Sequence, residues 1–455
     1  MTVISNKRRS GFVFTENGKI FRQINAAYKD VYDFLHTSGL YKKLVEKEYI
    51  VPHEEVELDK RKDKNFYKFI KPKMIEFISY PYEWCFSQLK DAALLTLNIQ
   101  KTALEHGLCL KEASAYNIQF ENSKPVLIDT MAFEIYKFNS PWVAYKQFCK
   151  HFLAPLAMMS YTDVRLCQLL KFNIDGIPLD MCCNILPLKA KLNIGLANHL
   201  YKIVEHEKKE EHIKLKHQQS KMTLNAQKAM LNSLIECIKS LKFPLGEAET
   251  NILYKHSKYS DKVFFAKKEI IAKYIEKARP KVIWDLGANR GKFSRIASDN
   301  GIFTVAFDID PIAVERNYLH SKKAKERYML PLLQDVANPS VEYAVLNNQK
   351  HGFLKRANAD LIMALSLINH LAITNGISYE SLAPFFKKLA PYLIIEFVPK
   401  NDDKVQAMIP ANDDIFDDYN QENFESIFLK SYDILEKENV EDTERYIYLM
   451  KVKEK

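Results

Sequence analysis

Residues 282–297 read VIWDLGANRGKFSRIA, an apolar run that breaks at an acid and then places two of the chain's 12 glycines within five residues. So short an apolar run, ending in glycines, predicts a buried strand that turns sharply into a helix. The surrounding sequence repeats the pattern. VFFAKKEIIAKYIEKA (263–278) is amphipathic at helical spacing and stops at Arg279-Pro280. KVIWDL is a strand, GKFSRIASDNG a helix stopped by Gly301, and FTVAFDID a second strand. DPIAVERNYLHSKK opens a helix with Asp310 as N-cap and Pro311 in its first turn. ADLIMALSL and YLIIEFVP are further buried strands, and YDILEKE and ERYIYLMKV form a closing pair joined by a polar turn. Near-continuous apolar strands alternating with helices predict a doubly wound α/β sheet covered on both faces, with one antiparallel strand at its end.

In such a sheet ligands sit at the carboxyl ends of the strands, where strand order reverses. DLGANRG occupies that place. Gly287 and Gly291 remove side chains, so backbone N–H groups and the following helix N-terminus can approach a ligand. The spacing is Asp-x-Gly-x-x-x-Gly rather than a dinucleotide GxGxxG, and no GKT or GKS follows. The second strand ends in acids about twenty residues on, where a carboxylate can take both hydroxyls of a ribose. Asp308 suits that role, since Asp310 is explained as a cap. LPLLQDVANP offers Asp335 and the Val336 N–H, a pair suited to an adenine edge, though Asp335 also reads as an ordinary loop carboxylate.

VIWDLGANRGKFS, TVAFDIDP, LQDVAN and ADLIMALSLINHLA, in this order, resemble the motifs of class I S-adenosylmethionine-dependent methyltransferases across residues 255–455. The resemblance implies a Rossmann-like sheet. It implies that Asp285 and the Gly287–Gly291 loop, with Asn289 in it, hold the methionine part of the cofactor. Asp308 would hold the ribose, and Asp335 with Val336 the adenine. LSLINHLAI and LIIEFVPKNDDKVQ are further similar to a bacterial methyltransferase group with nodulation-type and surface-polysaccharide-associated members. Methyl transfer is an in-line displacement that needs a positioned nucleophile and, for a hydroxyl, a base. His370 in SLINHLA is the candidate base, with a structural helix-capping role as the alternative. Asn369 could orient a substrate oxygen, and Glu396 is a second base or an orienter of His370. No Asn-Pro-Pro-Tyr-like run and no paired metal-binding acids accompany them, so no metal is expected in this domain.

The amino-terminal half holds a second cluster. HGLCLKEASAYNIQFENSKPVLIDTMAFE (106–134) reads as helix end, loop, strand, turn and strand. That layout resembles the catalytic loop and metal-binding strand of protein-kinase-like and aminoglycoside-kinase-like folds, over residues 10–200. SGFVFTENGKIFRQIN reads as a hairpin of a small lobe, and MIEFISYPYEW as a hinge. The resemblance implies that Glu112, Asn117 and Asp129 stand where such folds hold Mg-ATP. Glu112 departs from the catalytic Asp, no glycine follows Asp129, no glycine-rich phosphate loop is present, and Arg22 stands in place of the usual strand lysine. These losses predict a pseudokinase-like α+β domain.

The remaining features set bounds. At 455 residues two or three domains are expected: a kinase-like domain over 1–204, a helical connector over 205–250 and the methyltransferase domain over 251–455. The connector carries the mixed-charge run EHEKKEEHIKLKHQQSK and a packing helix with Leu224, Leu231, Leu234, Ile235, Ile238 and Leu241 at helical spacing, broken at Pro244 and Gly246. A net charge of +9 with interspersed acids reads as a solvated surface, and no nucleic-acid partner is expected. Seven scattered cysteines without a CxxC pair predict reduced thiols in a cytoplasmic protein. No secretory signal and no membrane span are expected. The expected function is methyl transfer from S-adenosylmethionine to an unidentified acceptor, a hydroxyl of a glycan or small molecule. The alternatives are a non-catalytic scaffold that retains ligand pockets and an RNA methyltransferase.

Overall fold

The computed structural model describes residues 2–3, 9–58, 65–213, 221–244, 261–341, 351–409 and 416–454. The chain divides into two compact units, the first running to residue 246 and the second built from 247–343 and 350–455.

In the first unit β1 (Thr2–Val3), β2 (Gly11–Glu16), β3 (Lys19–Asn25), β4 (His53–Val56) and β5 (Phe66–Pro72) form an antiparallel sheet in the order β1-β2-β3-β5-β4. One face buries Phe12, Phe14, Phe21 and Phe69. The segment predicted as a hinge, 74–84, holds only a short 3-10 turn, Pro81–Glu83. The helix Phe86–Glu105 follows, with its apolar residues buried around most of its circumference. Next, β6 (Leu108–Leu110) pairs with β9 (Phe133–Ile135), and β7 (Ile118–Glu121) pairs with β8 (Lys124–Leu127) as a hairpin. Residues 106–134 thus form the strand, turn and strand read from sequence. The helix Leu224–Ser240, expected in a connector, packs within this unit. Lys90 on Phe86–Glu105 donates to the carbonyls of Lys239 (2.9 Å) and Leu241 (2.7 Å), and Lys101 donates to Asn232 (2.8 Å). The mixed-charge run is helical to Ile213; its residues 214–220 and the break at Gly246 lie outside the described residues.

The second unit is a seven-stranded sheet of β10 (Val282–Leu286), β11 (Phe303–Asp308), β12 (Met329–Leu333), β13 (Leu361–Ala364), β14 (Tyr392–Phe397), β15 (Tyr432–Asn439) and β16 (Tyr446–Val452). Their order is β12-β11-β10-β13-β14-β16-β15. Only β16 runs against the others, paired antiparallel with β14 and β15. The order reverses between β10 and β13, so the crevice there is where a ligand would bind. One face of the sheet packs Ile283, Leu361, Met363, Ile394 and Ile447 against Ile271, Tyr274 and Ile275 of the helix Asp261–Ala278. The other packs Trp284 edge-on against Phe307 and tilted against Phe353, with ring centroids 5.2 and 5.0 Å away. Helix boundaries follow local chemistry. Asp310 caps the helix Pro311–Ala324 by accepting from Ile312 N at 2.8 Å. Lys325 ends that helix in the left-handed conformation, φ 56°.

Candidate active site

The carboxyl ends of β10, β11 and β13 bring three sequence-predicted segments together. Asp285 lies on β10 and is 2% exposed. It accepts from Ser294 Oγ at 2.5 Å. Burial lifts its pKa to about 7, the Ser294 hydrogen bond opposes the rise, and Asp308 adds to it. Asp308 ends β11 with both oxygens engaged by backbone: Oδ2 accepts from Asn289 N at 2.6 Å and Oδ1 from Asp310 N at 2.8 Å. Its pKa is also raised, by burial first, while the hydrogen bonds and His370 counter the rise.

The glycine loop differs from expectation. Its N–H groups are hydrogen-bonded within the chain. Gly287 and Ala288 both donate to Phe307 O at 2.9 Å, Asn289 to Asp308, Arg290 to its neighbour's Asn289 Oδ1 at 2.9 Å, and Gly291 to Ala288 O at 2.8 Å. The following helix is only Ser294–Ser298, too short for the predicted N-terminal anion site. What the glycines approach is other side chains. Both have positive φ, 76° at Gly287 and 70° at Gly291. A Cβ on Gly287 would lie 3.3 Å from Leu367 Cδ1. One on Gly291 would lie 2.6 Å from Asn317 Nδ2 and 2.9 Å from Arg295 Nη1. Arg295 is the post this loop is tied to: it bonds Glu326 (2.8 Å), Asn317 (2.8 Å) and the carbonyls of Arg290 (2.8 Å) and Gly291 (3.0 Å).

The segment after β13 lies over this loop through Leu367. His370 is exposed, and its ring has no hydrogen-bond partner among the described residues. Desolvation lowers its pKa, the Asp308 carboxylate works against that, and Lys404 adds to it, so the imidazole is neutral at pH 7. Asn369 is 2% exposed. Its Nδ2 points at Met408 Sδ, 3.6 Å away, and its Oδ1 is buried without a partner. Sulfur accepts a hydrogen bond and an amide oxygen does not donate one, so this orientation of the amide is the favoured one.

Glu396 requires correction. Among the described residues it makes no hydrogen bond to His370, and its carboxylate is held in an ion pair instead. It is fully buried, accepts from Lys267 Nζ at 2.6 Å and Ser366 Oγ at 2.9 Å, and lies 3.5 Å from Arg445 Nη1. Burial alone would raise its pKa, but the charges of Lys267 and Arg445 outweigh that and hold it below the usual carboxylate range. A carboxylate so paired takes up a proton poorly. Arg445 also bonds Asp402 at 2.7 and 2.8 Å, tying the segment after β14 to β16. Asp335 uses Oδ1 to cap its own turn, accepting from Ala337 N at 2.9 Å. Two features had no signal in the sequence reading: the buried cation of Lys267, and Ile309, which is 67% exposed beside Asp308.

In the first unit Asp129 is not open. Arg22 Nη1 donates to Asp129 Oδ1 at 2.5 Å and Nη2 to Ile128 O at 2.6 Å, and the same Oδ1 accepts from Met131 N at 3.0 Å. Asn117 holds Ile128 N through its backbone carbonyl at 2.9 Å, and its Nδ2 is buried without a partner. Glu112 lies close enough to Tyr28 for its charge to act on that hydroxyl. Among the described residues no three His, Cys, Asp or Glu side chains are grouped to hold a metal. No described helix is long and apolar enough to cross a membrane, and all seven cysteines are free.

The second unit is therefore a doubly wound α/β fold with carboxylates, a neutral imidazole and an unpaired amide oxygen around its switch point. No family model matches the chain. It is 30% identical over 452 residues to the nodulation protein NoeA of Rhizobium meliloti (strain 1021), covering 96% of this chain and 93% of that one. The chain belongs to the NoeA family. Among solved structures, magnesium protoporphyrin IX methyltransferase of Synechocystis PCC 6803 with bound SAH aligns with 45% of this chain and 92% of its own at 13% identity, TM-score 0.31. The N-methyltransferase NodS of Bradyrhizobium japonicum WM9 with S-adenosyl-l-homocysteine aligns with 44% and 92% at 10% identity, TM-score 0.32. WbdD aligns with 42% of this chain and 40% of its own at 14% identity, TM-score 0.29. The fold assignment rests on the strand order, not on these likenesses.

Proposed function

We propose that the second unit is a methyltransferase that uses S-adenosylmethionine. The observation that carries this reading is the geometry at the switch point: strand order reverses between β10 and β13, Asp308 at the end of β11 accepts from Asn289 N of the glycine loop, and the segment after β13 that carries His370 lies over that loop through Leu367. The residues present suit the cofactor. Asp308 would take the ribose hydroxyls, and the exposed Ile309 offers an apolar face to a purine. Asp285, with its raised pKa, would gain from a nearby cation, and Val336 N–H with Asp335 would meet the adenine edge. The Gly287–Asn289–Gly291 loop shapes the wall beside the methionine part. When bound, S-adenosylmethionine supplies a sulfonium-activated methyl group. The chain's own work is then to position the acceptor and manage its proton. The neutral His370 suits removal of a hydroxyl proton, which favours an oxygen acceptor on a glycan or small molecule. Asn369 Oδ1 would accept a hydrogen bond from that acceptor. The relative's name points to nodulation and specifies no reaction.

The first unit is read as a kinase-like module without phosphotransfer. Its support is the strand layout over 106–134 together with Arg22, whose guanidinium lies on Asp129 where a magnesium ion would have to bind. Magnesium-dependent ATP turnover lost in Asp129→Ala would overturn that reading.

The methyltransferase reading is tested by calorimetry of the full chain with S-adenosylmethionine and S-adenosylhomocysteine. Both should bind. Asp308→Ala should weaken each at least tenfold, since hydrogen bonds to a charged group contribute about 1.5–3 kcal/mol each. No binding of either compound, or wild-type affinity in Asp308→Ala, would refute it.

A further inference from the structure

We propose that the first unit docks on anionic membrane surfaces through the loop 188–194. The loop spans the 3-10 turn Leu188–Leu192 and the start of the short helix Ile194–Leu196. Leu188 is 80% exposed, Leu192 83% and Ile194 78%. Single exposed aliphatics are ordinary, but three within seven residues call for a partner.

The loop cannot fold these side chains inward, because its inner positions are already filled. Ala190 and Leu196 are fully buried and Leu186 nearly so. Asn193 pins the backbone from beneath: its Oδ1 accepts from Leu196 N at 3.2 Å, and its Nδ2 donates to Ser240 Oγ at 3.1 Å. The three aliphatics are thus held outward by a filled core and a fixed turn.

Charge identifies the occupant. The stretch 185–204, ILPLKAKLNIGLANHLYKIV, contains Lys189, Lys191 and Lys202 and no acid. Lys189 and Lys191 alternate with the projecting aliphatics and are themselves exposed. Lys191 rests over the Tyr201 ring, 5.3 Å from its centroid, which keeps the ammonium at the surface beside the apolar tips. Side chains that are about four-fifths exposed stand clear of the surface, so they need a soft medium rather than a matching pocket. A bilayer interface supplies that medium, taking the aliphatics among its acyl chains and the lysines among anionic headgroups. The segment is far too short to span and would lie in the interface.

The test is co-sedimentation of the full chain with vesicles of phosphatidylcholine alone and of phosphatidylcholine mixed with phosphatidylglycerol. Binding should require the anionic lipid. Each lysine near such a surface contributes roughly fivefold in partition, so Lys189→Glu with Lys191→Glu should weaken binding more than tenfold. Leu188→Ser, Leu192→Ser and Ile194→Ser together should reduce it to background, even at the lowest salt. These positions are exposed, so circular dichroism should be unchanged in both variants. No binding to mixed vesicles, or equal binding by the aliphatic triple variant, would overturn the proposal. So would a dimer in sedimentation velocity that the triple variant abolishes in the absence of lipid, since the occupant would then be a second copy. Calorimetry with S-adenosylmethionine in the same variants should stay at wild type, which separates this proposal from the reading of the second unit.

Discussion

Gly291→Ala tests what the glycine loop is for. If the loop exists to bring backbone against a ligand, alanine at 291 should disturb ligand affinity and leave the ligand-free protein nearly as stable. The geometry says the reverse. Gly291 has φ +70°, and an L-residue held there costs about 1–2 kcal/mol. The added Cβ would lie 2.6 and 2.8 Å from the Asn317 amide and 2.9 Å from Arg295 Nη1. Asn317 is 1% exposed and has nowhere to retreat. Moving it breaks its 2.8 Å bond to Arg295 Nη2, and moving Arg295 loosens the Glu326 pair at 2.8 Å. One such charge-assisted bond adds about 1.5–3 kcal/mol, for a total near 3–5 kcal/mol. Gly301 is the internal control. Its φ is +79°, but the nearest heavy atom to its Cβ is Tyr328 Cε2 at 3.9 Å, so Gly301→Ala carries the backbone strain alone. The two variants should differ by about 1.5–3 kcal/mol, or roughly 10- to 150-fold in local opening. Native-state hydrogen exchange on peptides covering 282–308 of the full chain reads that opening directly. Equal protection in the two variants would refute the Asn317–Arg295 account.

Three further outcomes follow from the same structure. Asp285 is a carboxyl with a raised pKa, so between its unfolded value near 4 and about 7 the folded chain holds a proton that the unfolded chain releases. Stability of the second unit should therefore fall as pH rises through that window, and Asp285→Asn should flatten the pH dependence of the urea midpoint; an unchanged slope would remove Asp285 as its source. Lys267→Met strands a fully buried Glu396 and should cost about 3–5 kcal/mol in thermal unfolding, with Lys267→Met/Glu396→Leu costing less than the single change; a cost under 1 kcal/mol for Lys267→Met would sink the buried-pair argument. His370→Ala should keep cofactor affinity and lower turnover about 10²- to 10⁴-fold once an acceptor is known, whereas full turnover would make the histidine structural.

The parts of this fold that could be read from the sequence are those set by local chemistry. Strand and helix alternation is written in VIWDL, FTVAFD, LIMA and YLIIEF because a strand buried on both faces is apolar throughout. Asp310-Pro311 marks its helix start because cap and first turn are adjacent in the chain. Other parts depend on partners far away. Gly287 and Gly291 looked alike in sequence; what distinguishes them is Leu367 in one case and Asn317 with Arg295 in the other. Lys267 sits in KKEIIAK, which reads as the wet side of an amphipathic helix, yet its partner Glu396 lies 129 residues on. Glu396 itself, at the end of LIIE, looks like a base facing a crevice until Lys267, Ser366 and Arg445 are seen to consume it. In the first unit Arg22 and Asp129 each stand out in sequence, but nothing local marks their ion pair across 107 residues.

Four buried polar side chains at the strand ends of the second unit differ in how fully they are compensated, and that difference separates support from capacity to bind. Asp285, Asp308, Asn369 and Glu396 are all at least nine-tenths buried, and all lie at or just beyond the carboxyl ends of β10, β11, β13 and β14. Each would be destabilising without partners. Glu396 is compensated by two cations and a hydroxyl and serves to fix Ser366 and, through Arg445, the segment bearing Asp402. Asp285 and Asp308 are only partly compensated, because each is held by hydrogen-bond donors and lacks a directly bonded cation, and the pKa of each is raised. Asn369 Oδ1 has no partner at all. An unpartnered buried oxygen carries a penalty that a leucine of similar volume would not. Asn369 Oδ1 lies in the same loop as His370, and it shares its unpartnered state with Ser298 Oγ, Ser340 Oγ and Tyr379 Oη elsewhere in the unit, so its capacity to accept from a bound group is a matter for the binding and turnover measurements above.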